Sequence, residues 1–298
     1  MNKKYHYKAF GLHFMADFEI PELLASAGEP DVSVRIGKTP AQLHHIIKKG
    51  VRYQAGKDEF LLETDRIAKF YIKKGNEIIV EPYKEKVDKE VRLFLLGSAF
   101  GALFLQRGLL PIHGSAIQFG HSTSIFTGLS GAGKSSIAAF FVQQGYQILA
   151  DDISVINHSL EVEPGFPGMK IWKDVLEKLG ISTDSLSSIR ADIQKYKYDV
   201  ERNFCTQPLP VKNIFIIHPK NTPGFESEEL TGMEKFNALK NNTFRYRFVE
   251  GLQKQQEHFT VINRLLKQVK VYRIKRPQAP VMLKEFADFL LENFDLNA

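Results

Sequence analysis

The stretch Gly128-Leu129-Ser130-Gly131-Ala132-Gly133-Lys134-Ser135 decides the fold of this chain. It fits the phosphate-binding loop (Walker A) pattern G-x-x-x-x-G-K-[ST], which requires a strand before it and a helix after it. Both flanks read that way. Ser124-Ile125-Phe126-Thr127 is a short apolar run expected to form a buried strand, and Ile137 to Gln144 reads as helix, stopped by Gly145. The glycines let the backbone turn its N–H groups inward as an anion nest, and the helix starting near Lys134 adds its positive N-terminal end. Gly128, Ser130, Gly131, Ala132, Gly133, Lys134, Ser135 and Ser136 are therefore the expected cradle for ATP. Lys134 is expected to reach the β- and γ-phosphates, and the Ser135 hydroxyl to take a place on Mg²⁺.

Downstream of the loop helix, Tyr146-Gln147-Ile148-Leu149-Ala150 reads as a strand running straight into Asp151-Asp152. Phosphoryl transfer needs a triphosphate cradle, a metal between the β- and γ-oxygens and a group that accepts the proton of the attacking hydroxyl. Two adjacent carboxylates beside the loop can divide the last two tasks, one facing Mg²⁺ and one facing the acceptor. Successive residues of a strand point to opposite faces, so both can serve one site only if the strand ends or bends between them. An Asp pair after a strand also caps turns. His113, at the start of the strand before the loop strand, is the next candidate, since a histidine near a carboxylate can hold a base in position.

The wider chain supports an α/β architecture. Strand-like runs at Val32–Ile36, Phe60–Glu63, Ile67–Ile72 and Glu77–Glu81, with a Gly75-Asn76 hairpin turn, give a β-rich module over residues 1–85. The apolar run Leu93–Leu105 is expected to be a core helix whose Gly97, Ala99, Gly101 and Ala102 admit close approach by another element. It is too short for the roughly 20 residues a bilayer span needs. Residues 86–298 then form a phosphate-loop domain with a mixed sheet: a strand at Val211–Ile217, mainly helix from Thr231 to Gln268, a strand at Val269–Ile274 and a last helix from Val281 to Phe294. The polar segment Ser182–Gln207 has the composition of a flap.

The 298 residues are 43% hydrophobic, enough for a substantial core, and carry a formal charge of +6. Lys and Arg are interleaved with acids, which argues against a nucleic acid partner, and no apolar leader precedes residue 10, so the expected location is the cytoplasm, away from membranes. Cys205 stands alone and cannot form an internal disulfide.

His113-Gly114, Gly128–Ser136 and Gly145–Asp152 together resemble the HPr serine kinase/phosphorylase family, whose nucleotide-binding domain is related to phosphoenolpyruvate carboxykinase. The resemblance covers about residues 110–160. It implies an ATP-dependent serine kinase with Asp152 as general base, His113 beside it, Lys134 on the phosphates, and Asp151 joining Ser135 around Mg²⁺. The family's Glu-Ile-Arg-Gly type signature is missing after the acidic pair; the chain reads Glu161-Val162-Glu163-Pro164-Gly165-Phe166-Pro167-Gly168-Met169-Lys170. Glu163 is there either a metal-facing carboxylate or a solvated turn residue. The β-rich front, Arg107–Ser115, Pro164–Pro167 and Thr243-Phe244-Arg245 look like the HPr-kinase-like proteins found with lasso peptide biosynthesis, which implies a precursor peptide carrying an acceptor serine as the partner.

Other expectations are less specific. Arg245 and Arg247 flank Tyr246 and on an extended segment would point to one side as a phosphate clamp, or else lie on a solvated helix face. Lys195-Tyr196-Lys197-Tyr198 reads as an ordinary surface loop rather than a contact strip. A kinase for a small metabolite and a non-catalytic nucleotide-binding regulator are the alternative readings, and a homo-oligomer is left open.

Overall fold

The computed structural model describes residues 3–184, 186–189, 193–278 and 282–296. The first part of the chain is a sheet of nine strands: β1 (Tyr5–Ala9), β2 (Leu12–Ala16), β3 (Leu24–Ala25), β4 (Val32–Ile36), β5 (Lys48–Lys49), β6 (Tyr53–Gly56), β7 (Glu59–Thr64), β8 (Ala68–Lys73) and β9 (Glu77–Pro82). Their order across the sheet is β3-β1-β2-β4-β9-β8-β7-β6-β5. The β8–β9 hairpin turns where the glycine marked it, but the two left-handed residues are Lys74 (φ 51°) and Gly75 (φ 68°), so Asn76 is the residue after the turn's centre.

The apolar run folds as one continuous helical stretch, α1 (Lys89–Phe94), a π-helical segment (Leu95–Ala99) and α2 (Phe100–Gln106). Asp88 caps it by accepting from the N–H groups of Glu90 and Val91. Its buried face packs on β8, and Gln106 at its end accepts from the Gly75 N–H at 2.8 Å and donates to the Ile72 carbonyl at 3.2 Å. Gly101 does admit a neighbour: a Cβ there would lie 2.9 Å from the Phe244 ring, whereas one at Gly97 would meet nothing within 4 Å.

From β10 (Leu110–Ile112) the chain enters a mixed α/β arrangement: β11 (Gly114–Phe119), β12 (Ser122–Gly128), α3 (Lys134–Gln143), β13 (Ile148–Ala150), β14 (Ser154–Ile156), β15 (Glu161–Glu163), β16 (Gly168–Trp172), α4 (Lys173–Lys178), β17 (Lys195–Asp199), β18 (Leu209–Lys220), β19 (Glu226–Glu229), α5 (Gly232–Asn242), α6 (Arg247–Gly251), α7 (Gln255–Leu266), β20 (Lys270–Pro277) and α8 (Leu283–Asn293). The long strand β18 is central. It pairs parallel with β12 on one side and with β20 on the other, while β11 pairs antiparallel with both β12 and β13. Gly114 is required on β11, because a Cβ there would come 2.5 Å from the Phe126 carbonyl oxygen of β12. Phe119, Phe126, Phe141 and Phe215 are fully buried and in ring contact around this sheet, at centroid distances from 5.0 to 5.8 Å. The strands β16 and β17 form a separate two-stranded ladder.

The chain divides into two compact units, Met1–Pro111 with Thr243–Val261, and Ile112–Asn242 with Ile262–Ala298. The boundary read at residue 85 is therefore corrected to 111. The helix 89–106 buries its apolar face on β8 and belongs with the strands before it, and the segment 243–261 returns to the same unit, where the Phe248 ring packs 4.7 Å from Tyr53 and 4.4 Å from Phe60. The expected last helix is α8; Val281, where it was expected to begin, lies outside the described residues, as does part of the segment 182–207. No helix among the described residues is long and apolar enough to cross a membrane.

Candidate active site

The loop between β12 and α3 has the geometry its glycines permit. Gly128, Gly131 and Gly133 sit at φ 137°, 80° and 100°, and a Cβ on Gly128 would lie 2.6 Å from the Ile217 carbonyl oxygen. Helix α3 has no side-chain cap at Gly133, which leaves its first N–H groups to an anionic ligand. Lys134 is 8% exposed and donates to the carbonyl oxygens of Gly128 and Leu129, both at 3.0 Å. Its burial lowers the affinity of its amine for the proton, and Asp152 and Asp151 oppose that effect.

The acidic pair meets the condition set by strand geometry. Asp151 follows the last residue of β13 and is 7% exposed. Its Oδ1 accepts from the Ser135 hydroxyl at 2.8 Å and the Ser115 hydroxyl at 2.7 Å, and its Oδ2 from the Lys170 N–H at 3.0 Å. Asp152 then adopts φ 73°. That left-handed residue breaks the alternation of the strand, and a single residue, Lys170, bonds both carboxylates. A non-glycine residue there costs roughly 1 kcal/mol or more, so the turn is held by its surroundings.

Asp152 accepts from the Lys170 ammonium at 2.8 Å through Oδ2, and its Oδ1 stands 3.6 Å from His113 Nδ1. Burial alone would raise its pKa, but the Lys170 charge and hydrogen bond, with His113 and Lys195 beyond, hold it well below the usual carboxylate range. His113 Nδ1 donates to the main-chain carbonyl of Asp152 at 2.8 Å, which fixes the proton on Nδ1. Burial pushes the His113 pKa down and Lys134 adds to the effect, while Asp152 opposes it. Its own backbone is tied by the Thr127 hydroxyl, which donates to the His113 carbonyl at 2.7 Å.

These groups border a cavity of about 430 Å³ that reaches from the loop residues Ser130–Ser136 past His113 and Asp152 to Trp172, Lys195 and Arg276. That volume falls within the roughly 300–1,000 Å³ of ordinary ligand sites. Every sequence-predicted site residue, His113, Gly128, Ser130, Gly131, Ala132, Gly133, Lys134, Ser135, Ser136, Asp151 and Asp152, lies at or beside this loop and cavity.

Several contributors were not visible in the sequence. Arg276, at the end of β20, is 7% exposed and donates to the Ala132 carbonyl at 3.1 Å and to the Pro277 carbonyl at 2.6 Å, with burial lowering its pKa. Lys170 and Ser115 carried no motif of their own. Lys195-Tyr196-Lys197-Tyr198, read as a surface loop, is instead strand β17, and its alternation of two residue types was the available signal. Lys195 lines the cavity with its ammonium 5.8 Å from the Trp172 ring centroid.

Of the two readings of Arg245 and Arg247, the extended clamp is corrected and the solvated helix face holds for Arg247: Arg245 is left-handed at φ 56°, and Arg247 begins helix α6 and is exposed. Glu163 is not a free turn residue; it lies on β15 opposite Val155 and accepts from the Asn157 side chain at 2.7 Å.

No family model matches the chain, and no curated protein matches it. Among solved structures, the HPr(Ser) kinase/phosphatase from Coxiella burnetii is similar at 12% identity, over 61% of this chain and 94% of that one, with a TM-score of 0.31.

Proposed function

We propose that this chain is an ATP- and Mg²⁺-dependent kinase that passes the γ-phosphoryl group to a serine hydroxyl of a peptide or protein. The acceptor class favoured by the sequence resemblance is a ribosomally made precursor peptide of the lasso type. One observation supports the reading above the others: Asp151 is bonded to the loop hydroxyl of Ser135 while Asp152, at a positive φ, lines the cavity beside that loop.

The donor set suits magnesium. A hydroxyl and a carboxylate on one side are hard oxygen ligands, and Mg²⁺ is commonly held by one or two protein oxygens with the rest from water and phosphates. Among the described residues no cluster of three or more His, Cys, Asp or Glu side chains could cage a metal, so the fit is to a cation that arrives with its triphosphate. Ser135 and Asp151 would hold it, and it would supply charge neutralisation between the β- and γ-oxygens.

The chain's own groups then do the following. The N–H groups of the loop and of the first turn of α3 bind phosphate oxygens, and the Lys134 ammonium, now on Gly128 and Leu129, is the donor available to the β- and γ-oxygens. Asp152, ionised at neutral pH, accepts the hydrogen bond of the incoming serine hydroxyl and orients its oxygen toward the γ-phosphorus. As the new O–P bond forms, the bond from the γ-phosphorus to the bridging oxygen breaks and ADP carries the electron pair away, with the serine proton passing to Asp152. In a loose transition state the orientation counts for more than the proton transfer, so a carboxylate of low basicity suffices. His113 holds the Asp152 main chain in place.

Incubation of the purified chain with γ-labelled ATP, Mg²⁺ and serine-containing peptides tests this reading. Label on the serine, absent when that serine is alanine, supports it. Label on a small metabolite alone supports a metabolite kinase, and tight nucleotide binding without any transfer supports a regulator; either result overturns the peptide-kinase reading.

A further inference from the structure

Two adjacent carboxylates facing a triphosphate repel one another and the phosphates, and each must be held in orientation against that repulsion. Lys170 touches both. Its backbone N–H donates to Asp151 Oδ2 at 3.0 Å and its ammonium donates to Asp152 Oδ2 at 2.8 Å. It stands in the middle of β16, opposite Lys197 of β17, so the ladder sets its height relative to the strand end that carries the acids. Of the other cations near the loop, Lys134 is bonded to the carbonyls of Gly128 and Leu129 and Arg276 to those of Ala132 and Pro277, while Lys195 lines the same cavity and acts on Asp152 through its charge, a smaller effect than that of Lys170.

The two contacts of Lys170 have different chemistry. The hydrogen bond from the backbone N–H to Asp151 depends on the main chain of β16 and survives replacement of the side chain by any residue but proline. The ammonium bond to Asp152 depends on the side chain, which is 22% exposed against a carboxylate 31% exposed, at the wall of the cavity. The His113 ring does not replace it, since its Nδ1 donates to the Asp152 carbonyl and stands 3.6 Å from the carboxylate.

We propose that Lys170 is a positioning residue for phosphoryl transfer, its ammonium holding the Asp152 carboxylate at the angle from which it receives the acceptor hydroxyl while its amide holds Asp151 against Ser135. The inference rests on the kinase reading above. It predicts a loss concentrated in turnover, because the triphosphate cradle is made by other residues.

The test is steady-state transfer to an acceptor peptide by wild type, Lys170→Met and Lys170→Arg, with nucleotide affinity measured separately by titration. Lys170→Met is expected to lower kcat about 100-fold, the scale of removing one preorganised charged contact, with ATP affinity within about threefold of wild type. Lys170→Arg is expected to recover at least about tenfold of the loss, since a guanidinium keeps the charge and the donor. A residue that merely supported the fold would lower nucleotide affinity and rate together and would not be rescued by arginine. Wild-type kcat in Lys170→Met, a parallel loss of ATP affinity, or no advantage of Arg over Met each overturns the inference while leaving the kinase reading intact. Absence of transfer by the wild type overturns the kinase reading and this inference with it.

Discussion

At the scale of single residues, Asp152 carries the most weight, because its φ of 73° is what brings the second carboxylate to the loop. Asp152→Asn keeps the shape and removes the charge, so transfer is expected to fall by roughly 100- to 10,000-fold while nucleotide binding persists. Measured transfer at wild-type rate would remove Asp152 from the mechanism. Under the proposed function, Lys134→Ala removes a buried ammonium available to phosphate oxygens, and both ATP affinity and rate are expected to drop, affinity by about 10- to 100-fold; isothermal titration reads the first and labelled transfer the second. Gly128→Ala places a Cβ 2.6 Å from the Ile217 carbonyl at a φ of 137° that L-residues rarely adopt, and is expected to cost roughly 1–3 kcal/mol in chemical denaturation.

At the scale of elements, the strand ends are tied down by side chains. Glu81 on β9 accepts from the Thr39 N–H at 2.8 Å and the Thr39 hydroxyl at 2.7 Å, with Lys38 at 2.9 Å. The Thr39 backbone bond is the chief reason its pKa is lowered from 4.5 to about 2. A folded-state pKa below the unfolded one contributes stability that is present above the unfolded value and lost as pH falls through the folded value. Glu81→Gln is therefore expected to lower the melting temperature at pH 7 and to lose its effect between pH 4.5 and about 2. An effect of equal size at both ends of that range would refute the assignment.

At the scale of the whole molecule, the chain passes between its two units three times, at residues 111, 242 and 261. Cutting at the sequence-read boundary would strip the helix 89–106 of β8 and leave Phe248, Val249 and Leu252, all at most 3% exposed, without the strands they cover. A fragment 86–298 is expected to elute as aggregate in gel filtration and to bind ATP poorly, whereas a monodisperse fragment with full affinity would restore the earlier boundary. That boundary was not legible because an apolar helix reads the same whichever sheet it covers.

The linear chain by itself determined the glycine loop, its flanking strand and helix, the acid pair and the mixed sheet, because each depends on residue types a few positions apart whose backbone geometry is locally forced. Glycines at Gly128, Gly131 and Gly133 and the strand ending at Ala150 are signals of this kind. Only the tertiary structure decided that Asp151 binds the loop hydroxyl of Ser135 while Asp152 lines the cavity, that Lys170 from β16 grips both acids, and that Arg276 from β20 reaches Ala132, 144 residues earlier in the chain. Those contacts join strands far apart in sequence, and an isolated Lys or Arg carries no spacing from which its partner can be read.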